Sequence, residues 1–303
     1  WTTMVIPPTQ PVYNDDGSYT RFTGVPWGET NPVGISRELY KPSNATRIIG
    51  NAALNYNIIP GLVLKLSAGI DKNDSKKDYY APGTITIGRS TDKDGNPVSG
   101  IASRDYSNSL TFINENTLSF NRTFGNHTID AVGGITYQQS SSENLNSGQA
   151  KGFISDLYQN NNIGAAAVPA QPSSGYSDFK LVSYLGRINY NYKGKYYATV
   201  TGRYDGASKF GKDNKFAFFP SAALSWNISR EDFLVNSNTV SNLKLRASYG
   251  TAGNQAINPY QTLATMGTAA VVLDNAQYNG FAPSSLANPG LKWETTRQFD
   301  AGV

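Results

Sequence analysis

Acidic residues in turn-like segments are the first side chains of this sequence that could do chemistry. The run Asp92-Lys93-Asp94-Gly95-Asn96 holds two of them, and Asp15-Asp16 holds two more just before a glycine. Closely spaced carboxylates can hold a calcium ion, but the distal glutamate of an EF-hand loop is missing. Asp and Asn beside Gly also form turns by bonding to their own backbone. We therefore expect turn residues here rather than a metal site.

The cysteine and histidine content excludes several classes of catalyst. The chain has 303 residues, no cysteine and one histidine, His127. Disulfides, iron–sulfur clusters, thiol nucleophiles and cysteine-type zinc sites are therefore excluded. A histidine metal site or a Ser–His–Asp triad would depend on His127 alone, and Asn126-His127-Thr128 is typical of a hairpin turn. We expect no enzyme activity, no cofactor and no metal.

Aromatic residues in polar segments are the best candidates for ligand contact. Our substrate-binding candidates lie in segments that are predicted below to be external loops: Tyr79, Tyr80, Tyr158, Tyr176, Tyr278 and Phe281. Ligand sites combine aromatic faces with a few polar groups, and a sugar can be recognised in this way. The same rings would also serve to pack the loops against each other or against a partner protein.

Apolar residues at every second position predict β-strands along most of the chain. In residues 195–205, Tyr196, Ala198 and Val200 alternate with polar or charged residues. The nine predicted strands cover residues of about 46–58, 61–72, 109–122, 127–139, 181–192, 195–205, 216–228, 241–250 and 293–303. The ninth is cut at Val303, so we expect the chain to be part of a longer protein.

Two segments depart from this alternation. Pro220 lies inside the seventh predicted strand, and a proline there removes a ladder hydrogen bond, which predicts a bulge or a local irregularity. Residues 1 to about 45 are rich in Pro, Gly and Asn and are predicted to be irregular.

The connections between the predicted strands alternate between short and long. Tight turns are predicted at Pro60-Gly61, Gly125-Asn126 and Lys193-Gly194. Long polar loops are predicted at residues 73–108, 140–179 and 251–291. A transmembrane β-barrel has short periplasmic turns and long external loops, whereas a soluble sandwich has no reason to place every long loop at one end. We predict an all-β fold: part of an antiparallel transmembrane barrel.

The composition is compatible with a chain that crosses a membrane by strands. No stretch of about 18 apolar residues is present, as a membrane helix would need. A barrel needs apolar residues only at alternate positions. The 19 tyrosines and 29 glycines suit aromatic girdles and tight turns, although a soluble β-sandwich would use them too. The net charge of +4 is dispersed, so we expect no nucleic-acid partner.

Two sets of strand residues have predicted roles. Aromatic residues near the short turns are expected to form an interfacial girdle: Tyr190, Tyr192, Tyr196 and Trp226. Basic residues opposite the apolar face are expected to point inward, toward water or a plug: Lys65, Arg187, Arg203, Lys244 and Arg246. A charge on the lipid-facing side would cost about 2–4 kcal/mol at the midplane, which favours the inward orientation.

Five sequence blocks after residue 180 follow one another in a recognisable order. They are Gly186–Tyr192 with Lys195–Tyr197, Arg203–Gly211, Phe218–Trp226, Leu243–Gln255 continuing to Asn258–Tyr260, and Asn288–Thr296. In order and spacing they resemble the SusC/RagA class of TonB-dependent transporters of Bacteroidetes. The block Leu243–Gln255 is the most specific. The resemblance is strongest over residues 180–303 and looser over residues 1–179, as expected of variable loops.

This resemblance implies a barrel of about 22 strands in the outer membrane, with a plug inside. It implies import of nutrients too large for porins, typically glycan oligosaccharides or oligopeptides. The implied partners are a SusD-class lipoprotein lid, membrane lipid, the oligosaccharide or peptide substrate, and TonB acting through parts of the protein outside this chain. We expect residues 1–303 to be part of a single barrel domain, with the plug domain and the C-terminal strands not in this chain.

Two alternatives remain open from the sequence. The first is a passive pore, or a structural or assembly barrel, in which a plug is absent or silent. The second is a soluble β-rich surface-binding module. The soluble module would fold in buffer without detergent and would be polar on both faces of its sheet.

Overall fold

The structure is a computed structural model that describes residues 9–21, 31–235, 239–274 and 276–303. Its strands are β1 (Ser43–Ile59), β2 (Leu62–Ala81), β3 (Arg89–Thr91), β4 (Pro97–Ser99), β5 (Ile101–Phe124), β6 (His127–Asn146), β7 (Ala150–Lys151), β8 (Ser173–Tyr192), β9 (Tyr196–Ala207), β10 (Phe216–Asn227), β11 (Lys244–Asn254), β12 (Thr265–Leu273), β13 (Ala276–Ser285) and β14 (Glu294–Gly302). The helical segments are α1 (Pro32–Glu38) and the 3₁₀ segments Thr86–Gly88, Asp156–Ala165 and Ile228–Arg230. Within the described residues, none of the helical segments has both the length and the apolar composition of a membrane-spanning helix.

All nine predicted strands are present, and they neighbour one another in chain order. The sheet runs β1-β2-β5-β6-β8-β9-β10-β11-β14, with the short strand β7 beside β5. The remaining strands form two small hairpins, β3–β4 and β12–β13, within the long connections. Pairing of each strand with the next along the chain is the antiparallel arrangement that the alternating turns and loops predicted. Over the described residues the path starts at β1 and ends at β14, so the sheet is open.

The chain divides into two compact units. Unit 1 comprises the described residues of Trp1–Ile48, Lys72–Leu110 and Ser142–Ser177. Unit 2 comprises Ile49–Asp71, Thr111–Ser141 and the described residues of Asp178–Val303. Unit 1 therefore holds the long connections after β2 and after β6, whereas unit 2 holds the predicted tight turns.

The strand register in unit 2 separates an apolar face from a polar face. Across β9, β10, β11 and β14, one row of paired residues is Ala198, Leu224, Ala247 and Ala301, and the next is Val200, Ala222, Tyr249 and Phe299. The residues between these rows face the other way, and one such row is Thr199, Ala223, Ser248 and Asp300. Because side chains alternate between faces along a strand, the two-residue repeat of the sequence produces this separation directly.

The apolar face of unit 2 is exposed to a degree unusual for a water-soluble domain. Val200 is 61% exposed, Leu224 66% and Phe299 68%. Contiguous apolar surface of this kind marks a surface that meets something other than water. The buried core of unit 2 lies elsewhere, around Phe210, Phe219 and Trp293.

Several strands are longer than the sequence predicted. The structure extends β2 to Ala81 rather than to about residue 72, β6 to Asn146 rather than 139, and begins β5 at Ile101 and β8 at Ser173. In β2 the residues after Ile70 are polar or charged on both faces up to Asp78. Where both faces of a strand meet polar surroundings, no alternation is required, so the pattern stops although the strand continues.

The strict alternation of short and long connections fails at one pair of connections. Residues 208–215, which join β9 to β10 on the long-loop side, form a shorter connection than residues 228–243, which join β10 to β11 on the short-turn side. The latter begins with the 3₁₀ segment Ile228–Arg230, and Glu231 just after it is bound to side chains of β9 and β10. The prediction of strict alternation is therefore wrong here, because this connection has contacts that a minimal turn could not make.

Pro220 does not create a bulge against β9. The register of β9 and β10 runs without interruption through Pro220, which faces Gly202. The Pro220 carbonyl accepts a hydrogen bond from Thr251 Oγ1 at 3.2 Å, so the backbone of Pro220 points toward β11. Its missing N–H therefore falls on the β11 side, where the register ends at Ser221 and Gly250. The irregularity is therefore that the pairing of β10 with β11 stops at Ser221 and does not include Pro220.

The N-terminal segment predicted to be irregular contains helix α1. Asn31 caps this helix, because its side-chain oxygen accepts hydrogen bonds from the backbone of Val33 and Gly34. A proline follows at the first helical position, which is a favoured start. Residues 1–8 and 22–30 of this segment lie outside the described residues.

Candidate functional site

The acidic turn residues form turns, as predicted. Asp92 Oδ1 accepts hydrogen bonds from the backbone N–H groups of Asp94 and Asn96 at 2.9 and 2.8 Å. The Asn96 side chain donates to Asp92 as well, and these hydrogen bonds hold the pKa of Asp92 below its usual value. Asp16 Oδ1 likewise accepts hydrogen bonds from the backbone N–H and from the side-chain hydroxyl of Ser18. Among the described residues, no group of three or more His, Cys, Asp or Glu side chains could hold a metal ion.

The predicted aromatic girdle residues lie together at the turn end of unit 2. The ring of Tyr196 stacks between Tyr192 and Trp226, with ring centroids 6.4 and 6.3 Å apart. His127 is the first residue of β6, directly after the turn Gly125-Asn126, and its Nδ1 lies 2.6 Å from Tyr190 Oη. Aromatic rings with a polar tip suit the boundary between an apolar layer and water.

Glu231 ties this aromatic row to the connection that follows β10. Its Oε1 accepts hydrogen bonds from Tyr196 Oη at 2.7 Å and from Trp226 Nε1 at 2.9 Å. Its Oε2 lies 2.9 Å from Lys195 Nζ. Hydrogen bonds from Tyr196, Lys195 and Trp226 lower the pKa of Glu231 to about 2. The role of Glu231 was not predicted from the sequence, because only the folded connection brings it back to these rings.

A hydrogen-bonded ladder crosses four strands on the polar face of unit 2. Asp130 of β6 accepts from Asn121 of β5 at 3.2 Å and from Asn189 of β8 at 2.8 Å. Asn189 in turn accepts from Thr199 Oγ1 of β9 at 2.9 Å. These cross-strand side-chain pairs fix the polar face where the strands approach their turns.

A second polar group on this face lies toward the long-loop end of β8 and β9. Arg203 Nε lies 2.7 and 2.8 Å from the two carboxylate oxygens of Asp205, and its Nη2 donates to Ser183 Oγ at 3.1 Å. Ser183 and Asp205 are buried. The residues predicted to point inward with Arg203, namely Arg187, Lys244 and Arg246, share this face in the register, and Lys65 alternates with the apolar residues of β2.

A buried aromatic cluster, formed by Phe210, Phe219 and Trp293 together with Ala207, lies at the long-loop end of unit 2. The Trp293 ring lies 5.1 Å from Phe210 and 5.5 Å from Phe219, measured between centroids. Trp293 Nε1 donates to the Lys215 carbonyl at 2.9 Å. The four residues come from the blocks Arg203–Gly211, Phe218–Trp226 and Asn288–Thr296, so these blocks meet in space.

The candidate ligand-contacting aromatics of unit 1 fall into two environments. Tyr158 and Tyr176 are exposed. Tyr80 is buried, packs edge-to-face on Phe153 with centroids 5.8 Å apart, and donates a hydrogen bond from Oη to Asp156. Burial and the Asp156 carboxylate raise the pKa of Tyr80. The half-buried Tyr79 precedes it on β2, and burial raises its pKa as well.

The two candidates of unit 2 lie on the β12–β13 hairpin. Tyr278 pairs with Val271 and Phe281 with Thr268, and both rings are exposed, Phe281 by 76%. Tyr278 and Phe281 are three residues apart on β13, and side chains alternate between the two faces of a strand. The two rings therefore lie on different faces of the hairpin.

A polar network around Asp78 organises unit 1 and was not predicted from the sequence. Asp78 Oδ1 accepts from Arg104 Nε and from Asn160 Nδ2, each at 2.6 Å, and Lys76 Nζ lies 3.1 Å from Oδ2. Burial raises the pKa of Asp78, but the hydrogen bonds of Arg104 and Lys76 outweigh it, and the net shift is downward. Arg104 also donates to Asn161 at 2.9 Å, so the network joins β2 and β5 to the 3₁₀ segment Asp156–Ala165.

Sequence comparison finds curated relatives that are all longer than this chain. TonB-dependent receptor P3 of Formosa agariphila is 38% identical over 292 residues, covering 96% of this chain and 28% of the relative. TonB-dependent receptor SusC of Bacteroides thetaiotaomicron is 30% identical over 334 residues, covering 99% of this chain and 31% of the relative. The chain therefore spans less than a third of the length of these relatives.

Comparison with solved structures finds the same fold in the RagAB peptide transporter. The match has a TM-score of 0.80 at 24% identity and covers 90% of this chain and 29% of the solved one. The RagAB peptide importer in the closed-closed state matches with a TM-score of 0.78 at 25% identity. Residues 6–303 match the family described as "TonB dependent receptor-like, beta-barrel". With its meander of strands, its two-faced sheet and these matches, the chain belongs to the TonB-dependent receptor β-barrel family.

Proposed function

We propose that this chain is part of the wall of an outer-membrane importer that takes up large nutrients with energy from TonB. The nutrients are glycan oligosaccharides or oligopeptides, and a SusD-class lipoprotein covers the external end. The relatives support this proposal, since they are named TonB-dependent receptors and include SusC, and one similar structure is described as a peptide importer.

The observation that carries the proposal is the separation of faces in unit 2. An exposed apolar face ends in a row of aromatic rings, while the opposite face carries Arg, Asp, Asn, Ser and Thr. In a barrel the first face meets lipid and the second lines a polar lumen. A strand sheet can cross a bilayer only if its backbone groups are paired, which requires the remaining strands of a closed barrel.

We propose that six aromatic residues, the substrate-binding candidates named from the sequence, contact the substrate. Exposed Tyr158, Tyr176, Tyr278 and Phe281 offer ring faces to a ligand. Half-buried Tyr79 and buried Tyr80 would act where the connections after β2 and β6 pack together. To test this, each of the six residues is replaced by alanine in the full-length protein and substrate uptake is measured. The control is Leu286→Ala, because Leu286 is an exposed apolar residue directly after the β12–β13 hairpin.

The first experiment is to fractionate native membranes and to identify what copurifies with the full-length protein in mild detergent. We expect it in the outer membrane together with a lipoprotein. Recovery in the soluble fraction would overturn the proposal in favour of a surface-binding module.

A second experiment separates active import from a passive pore. Uptake of a labelled oligosaccharide or oligopeptide is measured before and after collapse of the inner-membrane proton gradient. Import coupled to TonB stops when the gradient is lost. Uptake that continues unchanged would indicate a passive pore and would contradict the energy-coupled mechanism.

A further inference from the structure

A basic pocket indents the polar face of unit 2 near the turn end. It has a volume of about 490 Å³, and its polar lining includes Tyr197, Ser225, Lys244, Arg246, Ser248 and Asp300. The register brings these residues together, because Ser225 of β10 pairs with Tyr197 of β9 on one side and with Arg246 of β11 on the other. Lys244 and Arg246 are two residues apart on one strand, so they share this face.

Within the part of the chain that the structure describes, the two cations of the pocket have no carboxylate partner. Among the described residues, no ion pair within 4.0 Å joins Lys244 or Arg246 to an acid. The one acid of the pocket, Asp300, accepts a hydrogen bond from Gln298 at 3.1 Å. Two basic groups and one acid leave the pocket with a net positive charge.

Both cations lie close to neighbouring residues of the sheet. Lys244 Nζ lies 4.8 Å above the Tyr197 ring, and that ring is fixed by the hydrogen bond from its Oη to the Gly194 carbonyl at 3.1 Å. Arg246 lies against Gly302, where an added Cβ would come within 2.8 Å of Arg246 Nε. Glycine at this position therefore leaves room for the guanidinium group beside the backbone of β14.

We propose that this pocket binds a carboxylate group. A guanidinium fork, an ammonium group and two serine hydroxyls are donors that suit a carboxylate, and arginine can bind it through two parallel hydrogen bonds. The inference rests on the proposed function in one respect, namely that the polar face lines the lumen of the barrel. The carboxylate belongs either to an acidic substrate, such as a uronate oligosaccharide or an acidic peptide, or to an acidic side chain of the full-length protein inside the lumen.

The test uses the purified full-length protein in detergent, with isothermal titration calorimetry. The probes are two matched pairs: trigalacturonate with its neutral methyl ester, and triglutamate with triglutamine. An acidic substrate predicts that the protein prefers the acid of at least one pair. Arg246→Gln and Lys244→Gln should each weaken this binding by about tenfold, as expected when a charge-assisted hydrogen bond is lost. Arg246→Lys should restore part of it.

The matched control is Lys212→Gln, which removes an exposed lysine of the connection 208–215. It should leave binding unchanged. If the carboxylate belongs to the protein itself, neither acid is preferred, but Arg246→Gln and Lys244→Gln lower the melting temperature of the ligand-free protein more than Lys212→Gln does.

The proposal is overturned if the protein prefers no acid and the melting temperatures of the three variants agree. Because the assay measures binding and unfolding, its result is independent of TonB-driven uptake. A protein that fails to transport can still bind a carboxylate here, so failure of this inference and failure of the proposed function are distinguishable.

Discussion

Glu231 shows how a single side chain can fix the boundary of the apolar face. Three donors converge on its carboxylate: Lys195 from the turn before β9, Tyr196 of β9 and Trp226 of β10. This is a dense set of charge-assisted hydrogen bonds for a residue outside the strands. The Trp226 and Tyr196 rings are thereby held parallel, with an interplanar angle of 12°. The apolar parts of both rings remain exposed on the apolar face, while Tyr196 Oη and Trp226 Nε1 each donate a hydrogen bond to Glu231.

The pH dependence of this anchor follows from the lowered pKa of Glu231. Its pKa falls from 4.5 to about 2 on folding, so the carboxylate stabilises the folded state above pH 4.5, and this contribution is lost as the pH falls through about 2. We expect the tryptophan fluorescence of the full-length protein to be unchanged from pH 7 to 5 and to shift within the lower window.

In Glu231→Gln the part of this transition that comes from Glu231 should disappear, since glutamine does not titrate. The control is Asp232→Asn, because Asp232 is fully exposed and contacts only Lys195 among the partners of Glu231. A low-pH shift that is identical in Glu231→Gln and in the unchanged protein would show that Glu231 is not the titrating group.

Two glycines of unit 2, Gly253 and Gly186, differ in how closely other residues approach them. A Cβ at Gly253 would lie 2.1 Å from the Phe219 ring, whereas at Gly186 it would meet nothing within 4 Å. Gly253→Ala should therefore lower the free energy of unfolding by about 1–3 kcal/mol through overpacking. Gly186→Ala should change it little. Guanidinium unfolding of the full-length protein in lipid vesicles measures both, and equal effects would contradict the crowding at Gly253.

At the scale of elements, the buried aromatic cluster joins strands β9 and β10 to the segment that enters β14. Residues 255–293 leave β11 and return to β14, and Trp293 holds the returning end by ring contacts and by its hydrogen bond to Lys215. The Cβ that alanine would add at Gly211 would lie 2.1 Å from the Pro289 carbonyl, so the two connections are in close contact. The cluster is therefore a fixed base for the long connection that carries the β12–β13 hairpin.

Removal of the Trp293 ring should loosen this base. Trp293→Ala should lower the free energy of unfolding by about 3–5 kcal/mol, as for other buried aromatic residues. Trp293→Phe keeps ring packing but loses the hydrogen bond to Lys215, so its cost should be smaller. Unfolding in vesicles gives these values.

Limited proteolysis of intact cells gives a second readout for the same variants. Cleavage within residues 255–292 should be faster in Trp293→Ala than in Trp293→Phe. Equal cleavage rates in the two variants would show that the cluster does not hold this connection.

For the whole molecule, the proposed function assigns the apolar face of unit 2 to lipid and its polar face to the lumen. Val200 and Thr201 are neighbours on β9, and the register places them on the apolar and the polar face, respectively. An arginine on the lipid face costs about 2–4 kcal/mol at the midplane of the bilayer, whereas in the lumen it meets water. The pair therefore provides a matched test at almost the same height along the strand.

We expect Val200→Arg to reduce the free energy of unfolding in vesicles by about 2–4 kcal/mol, in proportion to its depth in the bilayer. Thr201→Arg should have a much smaller effect. The outer-membrane level of each full-length variant gives a second measure. A larger effect of Thr201→Arg than of Val200→Arg would reverse the assignment of the faces.

The strands, their order and their faces are readable from the amino-acid sequence alone. Lipid-like and polar surroundings on opposite sides of a strand impose a two-residue repeat, which is visible in residues such as Tyr196, Ala198 and Val200 without any coordinates. The tight turns were readable for a similar local reason, since Gly61, Gly125 and Gly194 adopt positive φ angles that favour glycine.

The ends of the strands and the contacts between distant segments, by contrast, depend on the three-dimensional fold. Beyond Ile70 both faces of β2 meet polar surroundings, so the repeat disappears while the strand continues. The contacts of Asp78 with Asn160, of Phe210 with Trp293 and of Lys244 with Tyr197 join residues far apart in the chain. Such contacts leave no periodic signal in a single sequence, because they depend on which connections fold back onto which strands.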